Sequence, residues 1–223
     1  MDKREVHVII LLVEGDTEIE FYSRVRELLL EKYNNTDKYK FLRPINIRGI
    51  GNYKFNAARQ FDSAVKKFEK ENKNQNNHKL KKSEQKGNKV QFIFHAFMCI
   101  DTDVLDSVQK PARFRKKPPI NENDTMQSIR DKNGIPHFIK AVYSIEDWFL
   151  EDINGIVKYL KVSKIPKFKN NLSGAEKLSI LFKQGNKIYT KGGKSEGFID
   201  CLDVEQILNN PTNDFKELLD LIQ

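Results

Sequence analysis

VHVIILLVEGDTEIEF, residues 6 to 21, changes character twice. Val6–Val13 is almost wholly apolar, rich in β-branched residues and too short for an ordinary helix, so it predicts a strand buried on both faces. Glu14-Gly15 predicts a tight turn, since glycine permits close backbone approach. Ile19, Phe21, Tyr22, Val25, Leu28 and Leu29 then recur mostly at three- and four-residue steps, one apolar helix stripe over about Thr17–Glu31. Thr17 and Glu20 have capping-box spacing. A strand that drives into Glu14, with Asp16, Glu18 and Glu20 beside it, gathers charge that repels itself. A metal ion, a basic side chain or open water must accommodate it.

Outward from this stretch the pattern repeats. KFLRPINIRGIGNY predicts a second, weaker strand at Phe41–Arg48, then a helix from about Phe55 to Glu71. Lys73–Lys89 is polar and lysine-rich and reads as an exposed loop. Val90–Ile100 is the most continuous apolar run and predicts a central third strand. His137–Val142 predicts a fourth strand, and Ser144–Leu160 a helix with Trp148, Phe149, Ile153, Ile156, Val157 and Leu160 along one face. Short helices are expected at Gly174–Phe182, Ser195–Leu208 and Asp214–Ile222. Strands alternating with helices imply an α/β fold with a mainly parallel sheet flanked by helices. The expected organisation is a core over 1–160, with basic insertions at about 73–89 and 106–124, and a helical C-terminal part over 161–223 packed on it.

The bulk properties bound the function. The chain of 223 residues carries 39 basic and 31 acidic residues, a net charge of +8 and a pI near 9.3. That balance admits a polyanionic partner such as DNA or RNA. Cys99 and Cys201 make no disulfide framework, and Cys99, in an apolar run, is expected as a reduced buried thiol. The N-terminal apolar run reads as neither a signal peptide nor a membrane span, so a cytoplasmic protein without membrane attachment is expected. Homo-oligomer formation is compatible with the sequence.

Parallel strands bring their carboxyl ends to one edge of the sheet, where α/β folds build their sites. The first strand ends in Glu14, with Glu18 one helical turn on. The third ends in Asp101 and Asp103. The fourth ends in Ser144-Ile145-Glu146. If these edges are adjacent, five carboxylates and a hydroxyl share one small volume. Oxygen ligands of this kind suit hard divalent cations, Mg²⁺ or Mn²⁺. No His/Cys spacing suggests zinc, and no twelve-residue calcium loop is present.

VEGDTE, CIDTD after an apolar strand, and YSIEDWFL together resemble a TOPRIM domain, a Rossmann-like fold. The closest flavour is that of the OLD-family nucleases and the small RloB-like proteins of bacterial defence loci. Glu14-Gly15 and Asp101-Thr102-Asp103 match the general TOPRIM pattern. Glu18 and Ser144-Ile145-Glu146 match the OLD flavour. The resemblance spans roughly residues 6–200 and is carried by about twenty positions. It implies a metal-dependent nuclease that hydrolyses phosphodiester bonds of DNA or RNA, the effector of an anti-phage or abortive-infection system. Glu14, Asp101 and Asp103 would hold one ion, and Glu18, Ser144 and Glu146 would help to hold a second, about 4 Å away. The family also uses a downstream lysine; YTKGGKSEGF offers Lys191 and Lys194, of which Lys194, leading into a helix, is preferred. OLD proteins carry an ABC-type ATPase, but this chain has no Gly-x-x-x-x-Gly-Lys-Ser/Thr motif. Such an ATPase would be a separate subunit. The alternative function is a non-catalytic TOPRIM-fold protein that binds nucleic acid or regulates an ATPase partner.

QKPARFRKKPP (109–119) follows Asp103 closely, so Lys110, Arg113, Arg115, Lys116 and Lys117 are expected to grip backbone phosphates near the same edge. Phe114 among them is suited to stack on a base.

Overall fold

A computed structural model describes residues 4–33, 37–48, 53–79, 90–102, 120–194 and 197–223, with only the backbone described for 74–79. Asp103 and the basic segment with Lys110, Arg113, Arg115, Lys116 and Lys117 lie outside the described residues.

β1 (Arg4–Val13) is flanked by β4 (Val90–Asp101) on one side. On the other side lie β2 (Tyr39–Phe41) and β3 (Ile45–Asn46). β5 (Ile135–Ala141) closes the far edge against β4. The order is β2-β1-β4-β5, with β3 beside β1 beyond β2, and every pairing is parallel. The expected α/β class with a parallel sheet flanked by helices is therefore observed. The second strand differs from expectation. Its residues Phe41–Arg48 divide into β2 and β3 around Pro44, which has no N–H to give to a ladder. The chain rejoins β1 on either side, with Leu42 N donating to Ile9 O at 2.9 Å and Ile47 N to Val13 O at 2.8 Å.

Side-chain alternation divides each central strand between two cores. Ile9, Leu11, Val13, Phe97, Cys99 and Ile139 face α1 (Asp16–Tyr33) and the C-terminal helices. Val8, Ile10, Leu12, Ala96, Met98 and Phe138 face α2 (Tyr53–Lys79) and α3 (Glu122–Arg130). Residues 8–13 of β1 have no exposed surface. Each such apolar side chain contributes about 1.5–3 kcal/mol relative to exposure, enough to hold an acidic strand end in place.

Several helix expectations shift. α2 runs on to Lys79, so Lys73–Lys79, expected in a loop, is helical; residues 80–89 lie outside the described residues. α3 begins inside the segment expected as a basic insertion, where Asn121 Oδ1 caps it by accepting from Asp124 N at 2.9 Å. The helix expected over Ser144–Leu160 is three pieces: α4 (Ile145–Phe149), a 3-10 turn (Leu150–Asp152) and α5 (Ile153–Leu160). Asp152 breaks the run by leaving helical geometry to cap Gly155 N at 2.9 Å. α6 (Gly174–Gln184) starts with a full capping box made by Ser173 and Glu176. Within Ser195–Leu208 only a 3-10 turn at Ile199–Cys201 and α7 (Val204–Asn209) form among the described residues, and α8 (Lys216–Ile222) ends the chain. The C-terminal helices share one core with α1, through Phe21, Val25, Trp148, Leu181, Phe198 and Leu218.

A chain of rings crosses the sheet: His7 Nδ1 lies 2.9 Å from His95 Nε2, His95 Nδ1 lies 3.0 Å from His137 Nε2, and His137 Nδ1 lies 2.8 Å from Glu217 Oε2. With each imidazole neutral, one consistent direction of donation runs from His7 to Glu217. No helix among the described residues is long and apolar enough to cross a membrane.

Candidate active site: carboxylates at the sheet edge

β1 and β4 are adjacent and parallel, so their carboxyl ends place Glu14 beside Asp101. Glu14, Glu18 and Asp101 line one crevice with Tyr22, Cys99 and Ile145, of about 10 Å³, at the lower limit for a single water-sized occupant. Glu146, 1% exposed, joins the group from the first turn of α4. Glu18 holds its proton up to about pH 7, chiefly through burial, with Asp101 and Glu146 adding repulsion and a backbone hydrogen bond opposing. Asp101 is pushed up to about 6, again chiefly by burial, with Lys191 pulling the other way. Burial also drives the Cys99 thiol upward, so it stays protonated as expected.

Asp101 also holds the fold. Its Oδ1 accepts from Ile145 N at 2.8 Å, and Thr102 Oγ1 accepts from Tyr143 N at 2.8 Å. The pair clamps the β5–α4 turn, where Tyr143 takes a left-handed backbone (φ 65°), unusual for a bulky residue. Ser144, expected to face the carboxylates, instead donates its hydroxyl to Asp147 Oδ2 at 3.1 Å.

The strap 189–193 completes the cluster. Lys191 Nζ lies 2.8 Å from Asp101 Oδ2 and 3.5 Å from Glu146 Oε2. Tyr189 OH donates to Glu146 Oε1 at 2.8 Å. The structure thus brings Lys191, rather than the preferred Lys194, to the carboxylates; Lys194 is exposed and pairs with no acid among the described residues. Tyr189 was not foreseen, although i and i+2 positions on an extended segment share a side. Thr17 does not form the expected capping box. Its hydroxyl donates to Gly193 O at 2.5 Å, and Asp16 N donates to Gly192 O at 3.2 Å, so the start of α1 anchors the strap. Gly15 makes this possible: a Cβ there would lie 3.1 Å from Gly192 Cα and 2.7 Å from Glu18 Oε2.

The donors that could hold an ion are all oxygens, which suits a hard cation. Glu18 Oε2 and Glu146 Oε2 are buried without a hydrogen bond, as a hard cation's ligands would be before it binds. No group of three His, Cys, Asp or Glu side chains among the described residues is arranged to hold an ion as it stands; Lys191 occupies the charge-neutralising position between Asp101 and Glu146.

Fold and site together define a class: a parallel α/β protein with buried acids and one lysine at the carboxyl edge of its sheet. No family profile, curated protein or solved structure matches the chain.

Proposed function

We propose that this protein is a divalent-metal-dependent nuclease of TOPRIM type acting on DNA or RNA. The observation that carries the reading is the meeting of Glu14, Glu18, Asp101 and Glu146 from three chain segments, with Lys191 among them. Glu14, Asp101 and Glu18 would hold Mg²⁺ or Mn²⁺, with Asp103 and Glu146 completing the set in the TOPRIM pattern. The ion supplies Lewis acidity and an activated water at neutral pH. The protein's own groups do the rest. Lys191 offsets charge that builds on the scissile phosphate. Tyr189 fixes the rotamer of Glu146. An anti-phage effector role and a separate ABC-type ATPase subunit belong to the same reading, through the OLD and RloB resemblance.

The test is cleavage of labelled single- and double-stranded DNA and RNA with Mg²⁺ or Mn²⁺. Glu14→Gln and Asp101→Asn, checked by circular dichroism, are expected to lose cleavage. Full activity in both folded variants overturns the assignment. One observation favours a second reading. Lys191 already neutralises two of the acids beside a crevice of only about 10 Å³, which suits a non-catalytic module that binds nucleic acid or a partner ATPase. Binding without cleavage under any divalent metal would select it.

A further inference from the structure

A second concavity, of about 780 Å³, lies over the opposite edge of β1 from β4, along the interrupted β2–β3 edge and between α1 and α2. Arg26 comes from α1, Arg43 and Arg48 from the β2–β3 edge, and Arg59 and Lys67 from α2. Glu71 is the one acid lining it. Nine of the chain's 39 basic residues are arginines, and four of those nine are here. Lysine dominates the rest of the surface, so the enrichment concerns the planar fork that engages phosphate through two hydrogen bonds.

None of the five cations forms an ion pair with a carboxylate among the described residues. Arg4 and Arg24, by contrast, pair with Asp37 and Glu27. Arg26 Nε is buried without a hydrogen-bond partner. Arg48 sits in a left-handed conformation (φ 59°), where its N–H donates to Asn46 Oδ1 at 2.7 Å. Five like charges around one groove raise each other's energy unless an anion enters.

The groove leads to the carboxylates. Asn46 is the register partner of Val13, and Glu14 follows Val13. Adjacent strands lie about 4.8 Å apart, so the groove opens within one strand spacing of the site. Leu42, Ile45 and Ala64 give its floor apolar area, as a track needs when bases, as well as phosphates, lie in it.

We propose that this groove binds the backbone of single-stranded nucleic acid and leads it to the carboxylate edge. As a substrate track it rests on the nuclease reading, whereas the binding itself does not. This surface is separate from the 109–119 segment, and its cations are spread over 26–67, so no local basic run announces it.

The experiment measures anisotropy of a fluorescein-labelled 20-nucleotide oligo(dT) and oligo(U) with the full chain in EDTA at several salt concentrations. Arg43→Ala/Arg48→Ala/Arg59→Ala together should weaken binding at least tenfold and flatten the log–log salt slope by about 2, the value for three single-strand phosphate contacts. Lys158→Ala/Lys161→Ala/Lys164→Ala, equal in charge removed, should change neither by more than a small fraction of that. Unchanged affinity and slope in the groove variant, equal losses in both triples, no binding by the wild type, or displacement of the oligonucleotide by polyglutamate at equal charge overturns the proposal. Wild-type cleavage with Mg²⁺ or Mn²⁺ separates the two readings. Oligonucleotide binding by a wild-type protein that never cleaves under either metal leaves the groove standing and removes the nuclease. Cleavage by the groove variant with unaltered KM removes the groove and leaves the nuclease.

Discussion

Replacing Glu18 by glutamine isolates what the buried charge costs. Glu18 titrates near 7 rather than 4.5, first because burial strips its water and then because Asp101 and Glu146 face it. A folded-state pKa above the unfolded value means that the folded protein binds the extra proton, so stability is full below about 4.5 and falls as pH rises through 7. The gap between those values corresponds to about 3 kcal/mol at pH 8. Glutamine keeps the shape and carries no charge, so Glu18→Gln should match wild type at pH 4.5 and exceed it by about 3 kcal/mol at pH 8, about 6–12 °C in Tm for a chain of this size. Urea unfolding in EDTA at pH 4.5, 6 and 8 reads this directly. Saturating Mg²⁺ should then stabilise wild type at pH 8, by about 2.7 kcal/mol at a hundredfold excess over Kd, and the variant much less. Wild-type and variant curves that stay parallel across pH would show that Glu18 is not buried among other acids, and the cation argument would go with it.

Lys191→Met should abolish cleavage and raise the pKa of Asp101 above about 6, since Lys191 is what holds it down; carbon-detected NMR titration of the Asp101 carboxyl measures it, and Lys194→Met should do neither. Gly15→Ala should cost about 1–3 kcal/mol by overpacking against Gly192 and lower activity through a displaced strap; urea midpoints and cleavage rates check both. Burial, aided by His137 and His7, lowers His95 to about 4, so an NMR titration should find the His95 imidazole neutral at pH 6.5 and protonating only near 4; protonation of that ring near 6.5 contradicts a neutral ring chain.

The parallel sheet was readable because Val6–Val13 and Val90–Ile100 are apolar on both faces, and few other structures bury such runs. The convergence of Glu14 with Asp101 followed from strand adjacency. Other features depended on contacts distant in sequence. Thr17 looks like a cap until Gly193, 176 residues on, is placed beside it. Lys191 and Lys194 are equivalent in sequence, and only the anchoring of Gly192 on α1 decides which one reaches Asp101. Ser144 turns to Asp147, a neighbour whose competing carboxylate the Ser-x-Glu pattern ignores. The break at Pro44 was legible in principle, since proline has no N–H to give to a ladder. α3 begins within a segment read by its lysines and arginines alone.

The strap that carries Tyr189 and Lys191 has a consequence for biogenesis. On the ribosome, domains fold largely from the amino terminus forward. Glu14, Glu18, Asp101 and Glu146 would all have emerged before the ammonium group that balances two of them. The edge of the nascent sheet therefore stays electrostatically open until the final third of the polypeptide arrives, and the step that seals it is the same step that completes the carboxylate cluster.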